Sequence, residues 1–230
     1  MAFGNSNRSF GKDAVLYSFK IKTKDLPEPV FEVSKKIGED YQKLDETAKV
    51  VSGNLISASP RENDYQGKII RSINLTLQDG NDVYFLSVGE TFIGRNLYNA
   101  LLALKTFDDI QIGLYQSKKK PGQDKTFASV SLRQHGETVR GLYDNKKELP
   151  AVKKVRVNGK DQSDTEELDN FFREKMKAFC KVVNAATPKA ANAPTSSAAS
   201  EASHETDGNG GHDDGGPADG DHEPTGDIPF

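Results

Sequence analysis

Alternation of apolar and polar positions dominates the first 135 residues. In DAVLYSFKI (13–21), Val15, Tyr17, Phe19 and Ile21 share one face at period two, which predicts a half-buried strand that opens the domain. EPVFEVSKKIGEDYQKLDE (28–46) has no clean period, and Pro27 and Pro29 argue against strand at its start. A short helix or an irregular connection is expected there, with no role assigned. AKVVSGNLISA (48–58) reads as strand, SPRENDYQG as loop, KIIRSINLTL (68–77) as strand, QDGN as a tight turn and DVYFLSV (82–88) as strand. The period then changes: Ile93, Leu97, Leu101 and Leu104 recur at helical spacing behind Thr91, an N-cap residue. DIQIGLYQ (109–116) and KTFASVSLR (125–133) return to alternation, joined by the loop SKKKPGQD.

Three strands, a helix and two strands follow the order of an OB-fold, a five-stranded, partly open barrel with a helix between strands three and four. The expected class is therefore mainly β with added helices. That fold binds oligonucleotides or oligosaccharides across strands two and three, flanked by the loops joining strands one to two and four to five. Arg61 and Tyr65 fall in the first of those loops, and Lys118, Lys119 and Lys120 in the second.

Strand faces add candidates. Ile110, Ile112 and Leu114 share a core face, which puts Tyr115 on the polar face with Gln111 and Gly113. Ala128, Val130 and Leu132 point one way in the fifth strand, and Lys125, Phe127, Ser129, Ser131 and Arg133 the other. Exposed aromatics among cations suit single-stranded nucleic acid, whose bases offer π-faces and whose backbone offers a phosphate at every nucleotide. Packing of Tyr115 and Phe127 beneath the N-terminal strand or a C-terminal helix is the alternative. Lys68 is a phosphate-contact candidate, whereas Arg71, alternating with Ile69, Ile73 and Leu75, and Arg95 on the helix read as structural.

HGETVRGLYD (135–144) is expected to add a sixth strand, with Arg140 and Tyr143 as weaker contacts, and KKELPAVKKVRVNGK reads as a basic loop. A final helix opens with a capping box from Ser163 to Glu166 and carries Leu168, Phe172, Met176, Phe179 and Val183 on one stripe. That stripe either packs on the barrel or makes a dimer contact.

Composition changes at residue 185. Of 31 basic and 34 acidic residues, positions 185–230 hold one and nine, leaving 30 and 25 in the body. The body is thus basic, at about +5, and the tail acidic, at about −8, so the overall −3 hides a surface suited to polyanions. The tail is Ala, Ser, Thr, Pro, Gly and Asp. It cannot offset roughly 1–2 kcal/mol of backbone entropy per ordered residue and is expected to be disordered. The expected organisation is an OB domain over 1–184 and an acidic tail over 185–230. Cys180 is the only cysteine, so no intrachain disulfide can form. MAFGNSNRSFGKD lacks the pattern of a secretory signal, and no apolar run reaches membrane-span length. A cytoplasmic protein without membrane association is expected.

Catalytic signatures are missing from the chain. It has no GxxxxGK[ST], no cysteine pair and no HExxH, so no enzyme activity, cofactor or metal is expected. His135 is the sole histidine of the body; His204, His212 and His222 lie in the acidic tail, where a solvated spacer is the simpler reading.

The chain ends in GDIPF. Asp227, Ile228, Pro229 and Phe230, closing an acidic Gly- and Pro-rich tail, resemble the C-terminal tip of bacterial single-stranded DNA-binding proteins. The resemblance implies that the tip docks replication, recombination and repair proteins. Phe230 and Ile228 can fill an apolar pocket while Asp227 and the terminal carboxylate meet a basic rim. The start of the chain lacks the short strand and glycine pattern that those proteins use to form tetramers, and the final helix is an addition. The chain looks more like a bacteriophage member with the bacterial tip, as a monomer or homodimer. The expected function is non-catalytic, largely sequence-independent binding of single-stranded DNA in replication, recombination and repair. An RNA-binding OB protein and a protein adaptor remain as alternatives.

Overall fold

The computed structural model describes residues 10, 13–23, 28–117, 126–144, 147–157 and 160–187. The chain divides into two units, Met1–Ala191 and Asn192–Phe230, and the second lies outside the described residues. The first is mainly β with two helices. In chain order its elements are β1 (Val15–Lys22), β2 (Val30–Ile37), β3 (Asp40–Ala48), β4 (Val50–Tyr65), β5 (Lys68–Asp79), β6 (Asp82–Gly89), α1 (Phe92–Leu101), β7 (Ile110–Gln116), β8 (Ala128–Gln134), β9 (Glu137–Thr138), β10 (Lys153–Val157), β11 (Lys160–Asp164) and α2 (Glu166–Ala186).

Nine strands form one open sheet in the order β3-β2-β1-β6-β5-β4-β7-β8-β9, and β10 and β11 make a separate hairpin. This corrects the expected five-stranded, partly open barrel: the sheet is open and nine-stranded. The N-terminal strand is the cause: β1 pairs in parallel with β6, from Val15 opposite Asp82 to Lys20 opposite Ser87. It thereby takes up the edge of β6, which no longer lacks a partner.

Residues 28–46 are also corrected, since they form the antiparallel hairpin β2–β3. Phe31 and Val33 do alternate into the core, but β3 lies at the sheet edge with most of its side chains wet, so it carries no period to read. Pro29 simply precedes the first strand residue, Val30.

Of SPRENDYQG, residues 59–65 are strand rather than loop. β4 runs on to Tyr65 and turns through Gln66 and Gly67, both at positive φ (53° and 75°), the backbone of a two-residue hairpin turn. Pro60 is tolerated within β4 because its nitrogen faces an edge with no strand neighbour among the described residues. β7 pairs with β4 only from Val50 to Gly53, and two residues before Pro60 both backbone groups of Ala58 are engaged by the Asn184 side chain of α2.

The basic stretch before the final helix is corrected from loop to the hairpin β10–β11, and the expected sixth strand shrinks to the two-residue β9. The capping box does not form either. Thr165 is the N-cap of α2, and its hydroxyl turns to Asp169 and Arg95 instead of capping.

Helix α1 follows the expected pattern. Thr91 caps it by accepting from the Gly94 N–H, and Ile93, Leu97 and Leu101 are buried, while Leu104 lies just beyond the helix. The α2 stripe of Leu168, Phe172, Met176, Phe179 and Val183 is buried in the same core as α1 and the sheet, so the apolar face of α2 is covered within the chain. Ion pairs fix this docking: Arg95 to Asp169 at 2.7 Å and Arg173 to Glu90 at 2.6 Å. No helix among the described residues is long and apolar enough to cross a membrane.

Candidate nucleic-acid interface

Residues opposite one another in register share a face of the sheet. From the hairpin tip inward, one face of β4–β5–β6–β1 presents the rows Tyr65 and Lys68, then Asn63 and Ile70, then Arg61, Ser72 and Gly89, then Asn74, Ser87 and Lys20. The opposite face at the same level holds Glu62 and Arg71, which pair at 2.7 Å. The Arg71 guanidinium, by that hydrogen bond, holds the Glu62 carboxyl below its ordinary value.

A groove of about 1010 Å³ lies on this face. β4, β5 and β6 contribute Arg61, Asn63, Ile70, Ser72, Ser87 and Gly89, and β1 contributes Lys20. Phe92, at the start of α1, and Phe127, just before β8, complete it from two further elements. Three apolar side chains in it stay open to solvent: Phe92 at 59%, Phe127 at 54% and Ile70 at 46%. Among the described residues its lining includes two cations, Lys20 and Arg61, and no carboxylate. An apolar trough with cations and hydroxyls but no acid can take a ligand that combines flat apolar surface with negative charge.

Local structure holds each group in place. Arg61 Nε donates to Asn63 Oδ1 at 3.1 Å, which orients the guanidinium along the strand. Ser87 donates to Ser72 at 3.2 Å. Phe127 N–H donates to the Ser117 hydroxyl at 2.9 Å, while its carbonyl accepts from Ser117 N–H at 2.8 Å, extending the β7–β8 ladder by one residue. Phe92 rides on a tight corner in which Thr91 N–H donates to Gly89 O at 2.8 Å and Gly94 packs against the same carbonyl.

Four residues singled out in the sequence, Tyr65, Arg61, Lys68 and Phe127, are thus brought to one face, with Arg61 and Tyr65 on strand β4 rather than in the expected loop. Tyr115 is exposed on β7 opposite Ser129 but does not line the groove. Arg133 is exposed opposite Gln111, and Arg140 is exposed beyond β9. Tyr143 belongs to helix packing: its ring meets Phe171 at 5.1 Å, Lys175 lies over it at 5.8 Å, and Asn99 bonds its backbone at both ends. Lys118, Lys119, Lys120, Lys125 and the tip residues Asp227, Ile228, Pro229 and Phe230 lie outside the described residues.

Sequence reasoning missed Phe92, Ile70 and Lys20. Phe92 had a signal, since it falls off the apolar stripe of Ile93, Leu97 and Leu101, an aromatic on the wet side of an amphipathic helix. Lys20 had none, because nothing in the sequence places β1 beside β6. Comparison with known proteins finds no matching family model, no matching curated protein and no matching solved structure.

Proposed function

We propose that this protein is a non-catalytic binder of single-stranded DNA with little sequence preference, and that the groove across β4, β5 and β6 is where the strand lies. One observation carries the reading: two half-exposed phenyl rings and two cations share an apolar groove free of carboxylates among the described residues. Unpaired bases stack on aromatic rings at roughly 1–3 kcal/mol per base, and cations follow the phosphates, which together give affinity without sequence readout.

The run β4, β5, β6, α1, β7, β8 supports it, with β4 bonded to both β5 and β7, because it follows the strand-and-helix order of an OB-fold, and the groove crosses strands two and three of that order. The open sheet adds β1 as an extra wall. The acidic segment ending in Asp227, Ile228, Pro229 and Phe230 serves, in this reading, to recruit replication, recombination or repair proteins.

Fluorescence anisotropy at two salt concentrations, with oligo-dT, oligo-U of the same length and a DNA duplex, tests the proposal. Tight, salt-sensitive binding to oligo-dT in preference to the other two is expected. Preference for oligo-U would make the protein an RNA binder, and no binding to any of them would reduce it to a protein adaptor.

A further inference from the structure

We infer that Phe92 is a base-stacking residue, so that the groove holds nucleobases on two rings contributed by separate elements, Phe92 from α1 and Phe127 from the approach to β8. The inference rests on the nucleic-acid reading of the groove.

Phe92 lies outside the buried stripe of α1. The residue is 59% exposed, more than Phe127, and the helix buries Ile93, Leu97 and Leu101 instead. An exposed phenyl group forgoes the stabilisation that burial brings, so an apolar surface laid over it gains free energy from the area both remove from water. The surroundings of Phe92 say what that surface would be. Ile70 and Ser72 of β5, Ser87 of β6, Arg61 of β4 and Lys20 of β1 line the same groove. A base on the ring would have apolar and hydroxyl neighbours, and its phosphate would have cations within the groove.

The backbone that carries the ring is also fixed in advance. A Cβ built on Gly94 would stand 1.9 Å from Gly89 O, so the strand and the helix meet at backbone distance two residues after Phe92. Thr91 closes the corner through its bond from the Gly94 N–H at 3.1 Å. Preorganisation of this kind lowers the entropic cost of binding.

The chain contains no tryptophan, so a single Trp placed in the groove reports on stacking alone. The experiment uses full-length Phe92→Trp, Phe127→Trp and, as a control on the exposed flank of α2, Val182→Trp. Each is titrated with oligo-dT while anisotropy follows binding independently. Quenching of the Phe92→Trp emission in step with the anisotropy is expected, with no change for Val182→Trp. Alongside, Phe92→Leu should weaken oligo-dT binding about ten-fold and Phe92→Tyr should leave it near wild type, because leucine keeps apolar bulk but not the π-face. If anisotropy shows binding and Phe127→Trp is quenched while Phe92→Trp is as silent as the control, the inference fails and the proposed function stands. If no variant and no wild-type protein binds, both fail together.

Discussion

Gly94 in α1 touches the carbonyl of Gly89 at the end of β6, so closely that a methyl group on Gly94 would lie 1.9 Å from that oxygen. Glycine to alanine inside a helix ordinarily stabilises by about 1 kcal/mol. Forcing backbone apart at a packed corner costs about 3 kcal/mol. The second effect is larger, so Gly94→Ala should destabilise by about 2 kcal/mol in urea unfolding. It should also weaken oligo-dT binding, since the corner carries Phe92. A variant more stable than wild type would show that the corner relaxes freely.

The two helices are joined by Arg95 and Asp169, whose side chains are 17% and 11% exposed and meet at 2.7 and 3.1 Å. Removing one member strands the other in a mostly dry site. Asp169→Ala should therefore cost about 3 kcal/mol, against less than 1 kcal/mol for the exposed pair partner Glu174→Ala. Chemical denaturation of both variants checks the contrast.

Salt dependence separates cations on the groove face of the sheet from structural ones. Arg61→Gln and Lys68→Gln should each flatten the slope of log affinity for oligo-dT against log salt by about 0.7. Arg71→Gln should leave it unchanged, because Arg71 is on the opposite face and already paired with Glu62. Equal effects at all three positions would place the strand elsewhere.

Burial pushes the Cys180 thiol up to about 11. The unfolded chain releases that proton near pH 9, so between about pH 9 and 11 the folded state binds more protons and stability falls as pH rises. The contribution is fully present below pH 9, and its loss amounts to roughly 2–3 kcal/mol by pH 11. Tyr98, raised mainly by its own burial, acts in the same direction at higher pH. Urea midpoints from pH 8 to 10.5 should drop for wild type and drop less for Cys180→Ala. At pH 8, iodoacetamide should label the thiol only in denaturant.

Strands β1, β5, β6, β7 and β8 and helix α1 were legible in the alternation of Phe19, Leu75, Leu86, Ile112 and Leu132 with polar neighbours, and in the helical recurrence of Ile93, Leu97 and Leu101. Burial on one side of an element writes a period into the chain, and period is local. Thr91 as a cap and the stripe of α2 were readable for the same reason. β3 was not, because an edge strand wet on both faces has no period to write. The length of β4 was hidden by Pro60, which is harmless only where the edge it faces has no strand partner. Whether the sheet closes depended on a parallel pairing between residues 15–20 and 82–87, a contact across more than sixty positions that no local pattern encodes. The same pairing brings Lys20 to the groove, and the corner at Gly89 and Gly94 turns Phe92 toward it. The residue types of the site were thus visible in the chain, but the register and packing that assemble them into one groove came from tertiary structure.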